Sequence, residues 1–365
     1  MDLSSFFKDL KIIELASVLA GPSVGMFFAE LGATVLKIEN KTTNGDVTRQ
    51  WKLPSENPDA PDSAYYHSIN WGKQTLFLDL KKSSDYEIMT DHLATADLVI
   101  TNFRKSSAQK LKLDYHHLQA FKPDLIYANI NAYGPEDSRP GFDALIQAET
   151  GWLSMNGTTD GQPAKLPVAL MDILTAHQLK EGILLALLHR ERTGEGSEVQ
   201  ASLFDTGVAS LANQASNWLN AQHLPARMGT QHPNIAPYGD ILVSEDDVEI
   251  LLSVGNEVQY QNLLQVLELD ALKEDARFST NALRLEHRNQ LLEQLQDAAV
   301  KLSSSEILKR SAARHVPLAP IRNLEQLFAL PEVRHLLLKS KTETKEWKVA
   351  RTIAFTLTSH STQLP

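Results

Sequence analysis

The sequence contains no cysteine. This absence excludes a disulfide scaffold, a thiolate metal site and a cysteine nucleophile. Long apolar runs are also missing, because the longest one, residues 182–188, falls far short of the roughly 18 residues that a membrane span needs. Residues 1–11 lack the basic start, apolar middle and small-residue cleavage site of a signal peptide. We therefore expect a cytoplasmic protein that does not enter the membrane.

Positive charge is in short supply. The chain has 35 Lys and Arg against 45 Asp and Glu, which gives a net charge of -10. Such a surface disfavours nucleic acid as a partner. The 42% hydrophobic and 22% charged residues are typical of a globular domain protein. At about 150 residues per domain, the length of 365 favours two domains.

Several common catalytic motifs are absent as well. The sequence has no phosphate-binding G-x-x-x-x-G-K-[ST] loop, no H-E-x-x-H and no G-x-S-x-G. The histidines, among them His67, His177 and His232, share no metal-ligand spacing, so we expect no metal site. The first turn between strand and helix, SVLAGP at residues 17–22, lacks the G-x-G-x-x-G dinucleotide fingerprint, which argues against an NAD-dependent enzyme.

What the sequence does contain is a regular alternation of strands and helices. Residues 11–15 are predicted as a buried strand, 22–31 as a helix and 34–39 as a strand, which makes a βαβ unit and a parallel sheet. Pro22 suits the first helical position, and Gly32 suits a left-handed helix cap. The same alternation continues with strands at 75–80, 97–100 and 125–131 and helices at 84–95 and 115–122. The predicted fold class is therefore α/β with a doubly wound, Rossmann-like parallel sheet.

The pattern changes after residue 224. Before it, we predict a helix at 173–190, a strand at 198–203 and one continuous helix at 204–219. Residues 225–237 are irregular in composition, and two strand-like runs within 241–254 precede further helical segments. We predict a large domain at 1–224, a smaller α+β domain at 225–325, and a C-terminal segment, 326–365, that returns to the large domain.

Two short stretches carry candidate functional residues. In LPVALMD, residues 166–172, Asp172 stands where an apolar strand-like run meets a helix. One interpretation is a helix N-cap, which the spacing alone favours. The other is a carboxylate nucleophile near a helix N-terminus. In ADLVITNFRKS, residues 96–106, Asn102, Phe103 and Arg104 follow a strand, where α/β sheets bind ligands. They either hold a nucleotide and phosphate or form an ordinary exposed loop.

Ten motifs in order make the chain similar to the class III CoA-transferases, the family of formyl-CoA and carnitine CoA-transferases. Singly, each motif is weak. They are LAGP at 19–22, LGATVLKIE at 31–39, GDVTR at 45–49, NWGKQTLFLDLK at 70–81, ADLVITNFR at 96–104, YGP at 133–135, GFDALIQAETG at 141–151, PVALMD at 167–172, ALLHRERTGEG at 186–196 and RFSTNALRLEHR at 277–288.

The resemblance implies a function for Asp172. In this family the aspartate attacks an acyl-CoA thioester and carries the reaction through aspartyl anhydride and aspartyl-CoA thioester intermediates. The implied substrates are an acyl-CoA, with succinyl-CoA as a plausible donor, and small carboxylic acids as acceptors. Coenzyme A is then a substrate, and no permanently bound cofactor is expected.

The resemblance also implies the CoA-binding and substrate-binding positions. Val18, Leu19 and Ala20 match the loop that faces the thioester, and the other matches to CoA-binding motifs are Lys37, Lys41, Lys73, Asn102, Phe103 and Arg104. Ser17 and Leu19 replace the His and Gln of formyl-CoA transferase, which argues against formate or oxalate as acceptor. A dicarboxylate acceptor needs a cation at its distal end, for which Arg49 and Arg139 are candidates, and Tyr133 is a further candidate near the substrate.

Two other functions stay open. Alpha-methylacyl-CoA racemases share the fold but use a His–Asp pair, and here Phe142 stands where their His precedes Asp143. Losing that imidazole removes one of the two bases that epimerisation needs, so we favour the transferase. A non-catalytic CoA-binding protein is the remaining alternative, and the retained Asp172 argues against it. The resemblance further implies an interlocked homodimer, and the Pro-x-Leu-Gly-x-His tail of the relatives is absent from residues 359–365.

Overall fold

The computed structural model describes residues 3–341 and 345–358. Within these residues the chain divides into two compact units. The first comprises the residues up to 152, residues 165–224 and the residues from 334 onward, and the second comprises 153–164 and 225–333. Residues 153–164, which the sequence assigns to the large domain, and residues 326–333, which it assigns to the returning C-terminal segment, both lie in the second unit. The C-terminal residues where the family tail was sought lie outside the described residues.

The secondary structure follows the predicted alternation closely in the first half of the chain. The described strands are β1 (Lys11–Glu14), β2 (Thr34–Asn40), β3 (Gln74–Leu78), β4 (Leu98–Thr101), β5 (Ile126–Asn131), β6 (Ser197–Ser202), β7 (Tyr238–Val243), β8 (Glu249–Ser253), β9 (Leu318–Pro320), β10 (Leu337–Lys341) and β11 (Glu346–Ala350). The described helices are α1 (Ala20–Glu30), α2 (Ala64–His67), α3 (Ser83–Ala94), α4 (Lys105–Lys110), α5 (Tyr115–Phe121), α6 (Asp143–Glu149), α7 (Trp152–Met155), α8 (Leu170–Thr193), α9 (Leu203–Ala209), α10 (Asn213–Ala221), α11 (Glu257–Val266), α12 (Asn281–Glu286), α13 (Arg288–Ala299), α14 (Ser304–Ala313) and α15 (Leu324–Ala329).

The first unit is built on a parallel sheet with the strand order β3-β2-β1-β4-β5-β6. The chain winds outward from the centre in both directions, so the predicted doubly wound α/β fold is confirmed. The order reverses between β1 and β4. Open sheets of this kind bind ligands beyond the carboxyl ends of the strands at such a reversal.

Both faces of this sheet are covered, as the apolar strands require. Alternate residues of a strand point to opposite faces. Leu98 and Ile100 of β4 belong to a core cluster shared with α1 and the long helix α8, whereas Val99 belongs to a second cluster shared with α3. The burial of α8 under the sheet fixes where its N-terminus lies. A hairpin of β10 and β11 completes the unit.

The second unit has an antiparallel sheet with the order β7-β8-β9. Helices α11, α13 and α14 pack their apolar side chains against it in one core cluster. The second unit also contains a buried ion pair. The carboxylate of Asp240 accepts a hydrogen bond from the Arg288 guanidinium at 2.8 Å.

The structure corrects two local predictions. The helix predicted at 204–219 is broken, because Ala212 adopts a positive φ of 49° and separates α9 from α10. Residues 166–169 form no strand, so the apolar run before Asp172 is a loop that leads into α8. Among the described residues, no helix has the length and apolarity that crossing a membrane requires.

Candidate active site

A cleft of about 560 Å³ opens at the carboxyl ends of β1, β4 and β5. It lies at the reversal of strand order, where the fold class binds its ligands. Three loops line it: residues 17–20 after β1, 102–105 after β4, and several residues of the segment 131–142 after β5. Asp172, at the start of α8, lines the same cleft. The structure thus brings together the two stretches that the sequence singled out.

Asp172 is the third residue of α8 and is half-buried. Its carboxylate makes no hydrogen bond to any other described residue. Burial, followed by the nearby charge of Asp143, raises the pKa of Asp172 to about 7. The interpretation of Asp172 as the helix N-cap is wrong, because Ala169 occupies that position without a side-chain cap. A carboxylate without donors in a cleft is a candidate nucleophile.

Asp143 does the capping instead. One of its oxygens accepts the backbone N–H of Met171 at 2.6 Å, and the other accepts the amide of Gln147 at 2.6 Å. Gln147 in turn accepts the backbone N–H of Leu166 at 3.0 Å. These bonds fix the loop before α8 and hence the position of Asp172. The GFD motif at 141–143 contains Asp143, but its pattern gives no signal for this capping function.

Two aromatic residues belong to the surroundings of the carboxylates. Phe142 lines the cleft and is 62% exposed, so an apolar ring stands where the racemases carry their imidazole. Tyr65 of α2 is half-buried. Burial raises its pKa to about 12, and the charges of Asp172 and Asp143 act in the same direction. The sequence analysis did not single out Tyr65, and no motif in the sequence points to it.

The predicted CoA-binding loops line the cleft. Val18, Leu19 and Ala20 lie on one side, and Phe103 and Arg104 lie beside them. The exposed Arg104 guanidinium has no hydrogen-bond or ion-pair partner among the described residues. Asn102, which was predicted to bind CoA, instead uses its side chain for hydrogen bonds within the protein.

The Asn102 side chain joins the two loops at the reversal point. It accepts the backbone N–H of Ser17 at 3.2 Å and donates to the Ser17 carbonyl at 2.9 Å. Both ends of the amide are therefore used within the protein. Asn102 shapes the wall of the cleft and has little left to offer an adenosine.

Lys37 and Lys73 do not reach the cleft, so the prediction that they contact CoA phosphates does not hold in this structure. Lys37 is fully buried and donates to Glu14 at 2.9 Å and to the carbonyl of Ala16 at 2.7 Å. The Lys73 side chain is also buried and lies 2.8 Å from Glu14. Lys41 is exposed near the end of β2 and does not line the cleft. Ammonium groups that are already paired in the interior are not available to a ligand.

Arg49 is also committed elsewhere. Its guanidinium binds both oxygens of Glu39, at 2.7 and 2.8 Å, and pairs with Asp62. It further donates to the hydroxyl of Tyr66 and stacks on that ring at 3.8 Å. The side chain is only 11% exposed and does not line the cleft, so the prediction that Arg49 meets a dicarboxylate does not hold.

Arg139 does line the cleft, with a half-exposed side chain that pairs with Asp137 at 2.9 Å. Tyr133 lies under it, 3.8 Å from the guanidinium, and donates its hydroxyl to Glu149 at 2.9 Å. Tyr133 borders a shallow hollow formed with residues 134–138 and does not line the main cleft. Only Arg139 of the three candidate substrate residues therefore lies at the site.

The fold and the cleft define a doubly wound α/β protein with a cleft at the switch point of the sheet. Comparison with known proteins identifies the family. The model of CoA-transferase family III matches residues 7–365. The chain belongs to that family and is a CoA-transferase.

Relatives of this chain carry more specific names. The succinate–glutarate CoA-transferase of Agrobacterium fabrum is 36% identical over 346 residues, which cover 93% of this chain and 86% of that protein. The human succinyl-CoA:glutarate CoA-transferase is 31% identical over 329 residues, which cover 89% of this chain and 74% of that protein. The crystal structure of a CAIB/BAIF family protein from Brucella suis is 35% identical, with a TM-score of 0.85, and covers 96% of this chain and 93% of that one.

Proposed function

We propose that the protein moves CoA from succinyl-CoA to a short dicarboxylic acid of about the size of glutarate, with Asp172 as the covalent nucleophile. The observation that carries this proposal is the Asp172 carboxylate, which lines the cleft without a hydrogen-bond donor among the described residues. A carboxylate in this state keeps its lone pairs free for attack. The names of the relatives support the choice of donor and acceptor.

The first half of the reaction loads CoA onto the protein. An oxygen of Asp172 attacks the thioester carbonyl carbon, and the C–S bond breaks to release CoA thiolate and leave a mixed anhydride. The thiolate then attacks the Asp172 carbonyl carbon and breaks the C–O bond. The donor acid leaves as a carboxylate that carries one oxygen from Asp172, and an aspartyl-CoA thioester remains.

The second half reverses these steps with the acceptor. The acceptor carboxylate attacks the aspartyl-CoA carbonyl carbon and expels the thiolate, which gives a second anhydride. The thiolate attacks the acceptor carbonyl carbon, so that the new CoA ester forms and Asp172 is regenerated with one oxygen from the acceptor. The reaction needs neither ATP nor a proton carrier, because each bond broken is replaced by one of similar energy. Both anhydrides must be kept from water.

The residues around the cleft divide the substrates between them. The loop 17–20 faces the thioester, and the unpartnered Arg104 guanidinium supplies a cation for a phosphate of CoA. Phe103 packs along the CoA chain. Arg139 meets the distal carboxylate of the acceptor, in exchange for its exposed ion pairs with Asp137 and Glu149. An exposed pair of this kind contributes little to stability and can be given up at low cost.

We also propose a homodimer. Leu184, Leu185 and Leu188 form a stripe along α8 that is 41%, 68% and 42% exposed in the single chain. Residues at this spacing share one helix face. Covering such a stripe with a second copy removes apolar surface from water. Light scattering on the purified protein is expected to give twice the mass of one chain, and a single-chain mass would contradict this part of the proposal.

The test is an acyl-transfer assay with matched variants. Wild type, Asp172→Asn and the exposed-carboxylate control Asp91→Asn are each mixed with succinyl-CoA and a panel of monocarboxylates and dicarboxylates. Mass spectrometry then follows the CoA esters. We expect a new dicarboxyl-CoA ester from wild type and from the control, and at least a thousandfold slower formation with Asp172→Asn.

Two results would contradict the proposal. One is equal ester formation by wild type and Asp172→Asn. The other is no new ester from any acid together with loss of stereochemistry in a 2-methylacyl-CoA, which would favour the racemase.

A further inference from the structure

The loop between β1 and α1 has a backbone conformation that its residues do not favour. Val18 has a φ of 72°, in the left-handed region. A β-branched residue at positive φ is rare and strained. Such a conformation persists only where the surrounding structure enforces it. Val18 lines the cleft and belongs to the loop that faces the thioester in the proposed function. The structure shows what enforces this conformation.

The enforcing contact inside the loop comes from Asp46. Its two carboxylate oxygens lie 3.3 and 3.2 Å from the backbone nitrogen of Val18 and accept its N–H. Asp46 is 4% exposed, and it also accepts the backbone N–H and the hydroxyl of Thr48 at 3.1 and 2.9 Å. These hydrogen bonds fix the position of the buried carboxylate.

Two buried lysines hold the chain on either side of the loop. Lys37 donates to the carbonyl of Ala16 at 2.7 Å, just before the loop, and Lys73 donates to the carbonyl of Pro22 at 2.7 Å, just after it. Lys37 also lies 3.1 Å from Asp46. The loop is therefore gripped before, within and after its strained residue.

Glu14 ties these groups together. Lys37 lies 2.9 Å from one of its oxygens and Lys73 lies 2.8 Å from the other, and all of these side chains are buried. Gly25 of α1 leaves the room for this carboxylate, since a Cβ at that position would stand 1.8 Å from a Glu14 oxygen. We call Glu14, Lys37, Asp46 and Lys73 the anchor cluster.

We propose that the anchor cluster is a positioning device for catalysis, whose task is to hold loop 17–20 in the one backbone conformation that presents the thioester to Asp172. This inference rests on the proposed function. Four buried charges with mutual pairing are an expensive way to stabilise a protein, since apolar residues of similar volume serve as well or better. The backbone partners of these side chains indicate why charged residues are used: three of the four bind backbone atoms within the loop or close to its ends.

Substitutions of Asp46 distinguish a positioning function from a purely structural one, because the charge and the hydrogen-bond acceptor can be removed separately at this residue. Asp46→Ala removes both the charge and the acceptor for Val18. Asp46→Asn removes the same charge but keeps an acceptor oxygen. Asp240→Asn is the matched control, since Asp240 is an equally buried, paired aspartate of the second unit.

We expect kcat to fall about 10- to 100-fold in Asp46→Ala, with KM for the acyl-CoA changed less than about threefold, because the loop is misplaced and not removed. Asp46→Asn is expected to recover most of kcat while it melts at a temperature close to that of Asp46→Ala. The control is expected to melt at a lower temperature than wild type and to keep its kcat. If kcat instead follows melting temperature across all three variants, the cluster is a structural element only and the proposal is wrong.

Hydrogen exchange read by mass spectrometry tests the loop without relying on turnover. The peptide that contains residues 17–21 is expected to exchange faster in Asp46→Ala than in wild type, as is the segment around Thr48, whose N–H Asp46 also accepts, with the rest of the chain unchanged. Should Asp46→Ala not fold, Asp46→Ser, whose shorter side chain withdraws the acceptor from the N–H of Val18 but stays polar, is expected to show the same local increase. An unchanged exchange rate of this peptide in a folded variant would overturn the proposal. A wild type that exchanges as expected but transfers no CoA would refute the proposed function while leaving the positioning by Asp46 in place.

Discussion

Two carboxylates near the cleft have opposite surroundings. Asp46 is 4% exposed and accepts hydrogen bonds from Val18 and Thr48 beside the ammonium group of Lys37. Asp172 is half-buried and has no donor among the described residues, and the charge of Asp143 adds to burial in raising its pKa. The first is saturated and therefore inert. The second is held by the backbone alone, so its lone pairs remain available to a substrate.

At this edge of the sheet, the residues that hold the loops are different from the residue proposed to react. The saturated groups lie beneath the loops, where each charge has a partner. The unsaturated one lies at the start of a helix, whose position is set by a neighbouring cap and not by bonds to the carboxylate itself. Changing a supporting group should therefore lower stability as well as the rate, and changing Asp172 should lower activity without lowering stability.

The largest change in stability is expected for Glu14→Gln in the anchor cluster. The substitution leaves Lys37 and Lys73 buried without their shared counter-charge, which typically costs about 3–5 kcal/mol. Urea denaturation measures the free energy of unfolding. The control Glu87→Gln, on the exposed face of α3, is expected to change it by less than about 0.5 kcal/mol. A loss below about 1 kcal/mol for Glu14→Gln would contradict the assignment of a supporting function.

Asp172→Asn is expected to shift stability in the other direction. Burial raises the pKa of Asp172 in the folded protein to about 7, from an ordinary value of 3.8. A raised pKa stabilises the fold at low pH, and that contribution is lost as the pH rises through about 7, because the ionised form is the less favourable one in place. At pH 8 the neutral Asn avoids this cost, so we expect a gain of about 1–3 kcal/mol, discounted for partial exposure.

Below the pKa that Asp172 has in the unfolded chain, we expect the same variant and wild type to be equally stable. At pH 3.5 Asp172 is itself protonated, and the difference between wild type and Asp172→Asn should vanish. Thermal melting at the two pH values checks both expectations. A variant less stable than wild type at pH 8 would mean that the Asp172 carboxylate is paired after all.

The smallest effect is expected for the pH dependence of the rate in Asp143→Asn. Transfer requires ionised Asp172, so kcat/KM for wild type should rise with pH through about 7 and then level off. The substitution keeps an acceptor for the N–H of Met171 but removes the nearby charge. Because burial is the larger cause of the raised pKa, the rise should move to lower pH by less than about one unit. The profile of Asp91→Asn should match wild type, and a shift to higher pH in Asp143→Asn would contradict the geometry.

Much of the fold could be predicted from the sequence. Buried strands alternating with helices left few topologies, because parallel strands need crossover helices and those crossovers are right-handed. The helix break at Ala212 could not be predicted, since alanine has no local signal for a positive φ and tertiary contacts impose it. The loop before α8 looks like a strand in the sequence, because a short apolar run has no hydrophobic periodicity that distinguishes a buried strand from a loop.

The candidate site was predictable in part. Asp172 and the loops at 17–20 and 102–104 follow from where strands end. Lys37 and Lys73 were assigned to CoA because a basic residue in a motif looks the same whether it is exposed or buried. Their partner Glu14 lies far from Lys73 in the sequence, and only the folded sheet brings the two together. Arg49 was misplaced for the same reason.

Covalent catalysis by Asp172 is tested by following oxygen from the acceptor to its carboxylate. Wild type turns over succinyl-CoA with a dicarboxylate labelled with oxygen-18 in both carboxyl groups, and the peptide that contains Asp172 is then weighed. We expect this peptide to gain one or two labelled oxygen atoms, and to gain none when the acyl-CoA donor is left out. Complete turnover with an unlabelled Asp172 would contradict covalent catalysis by this carboxylate.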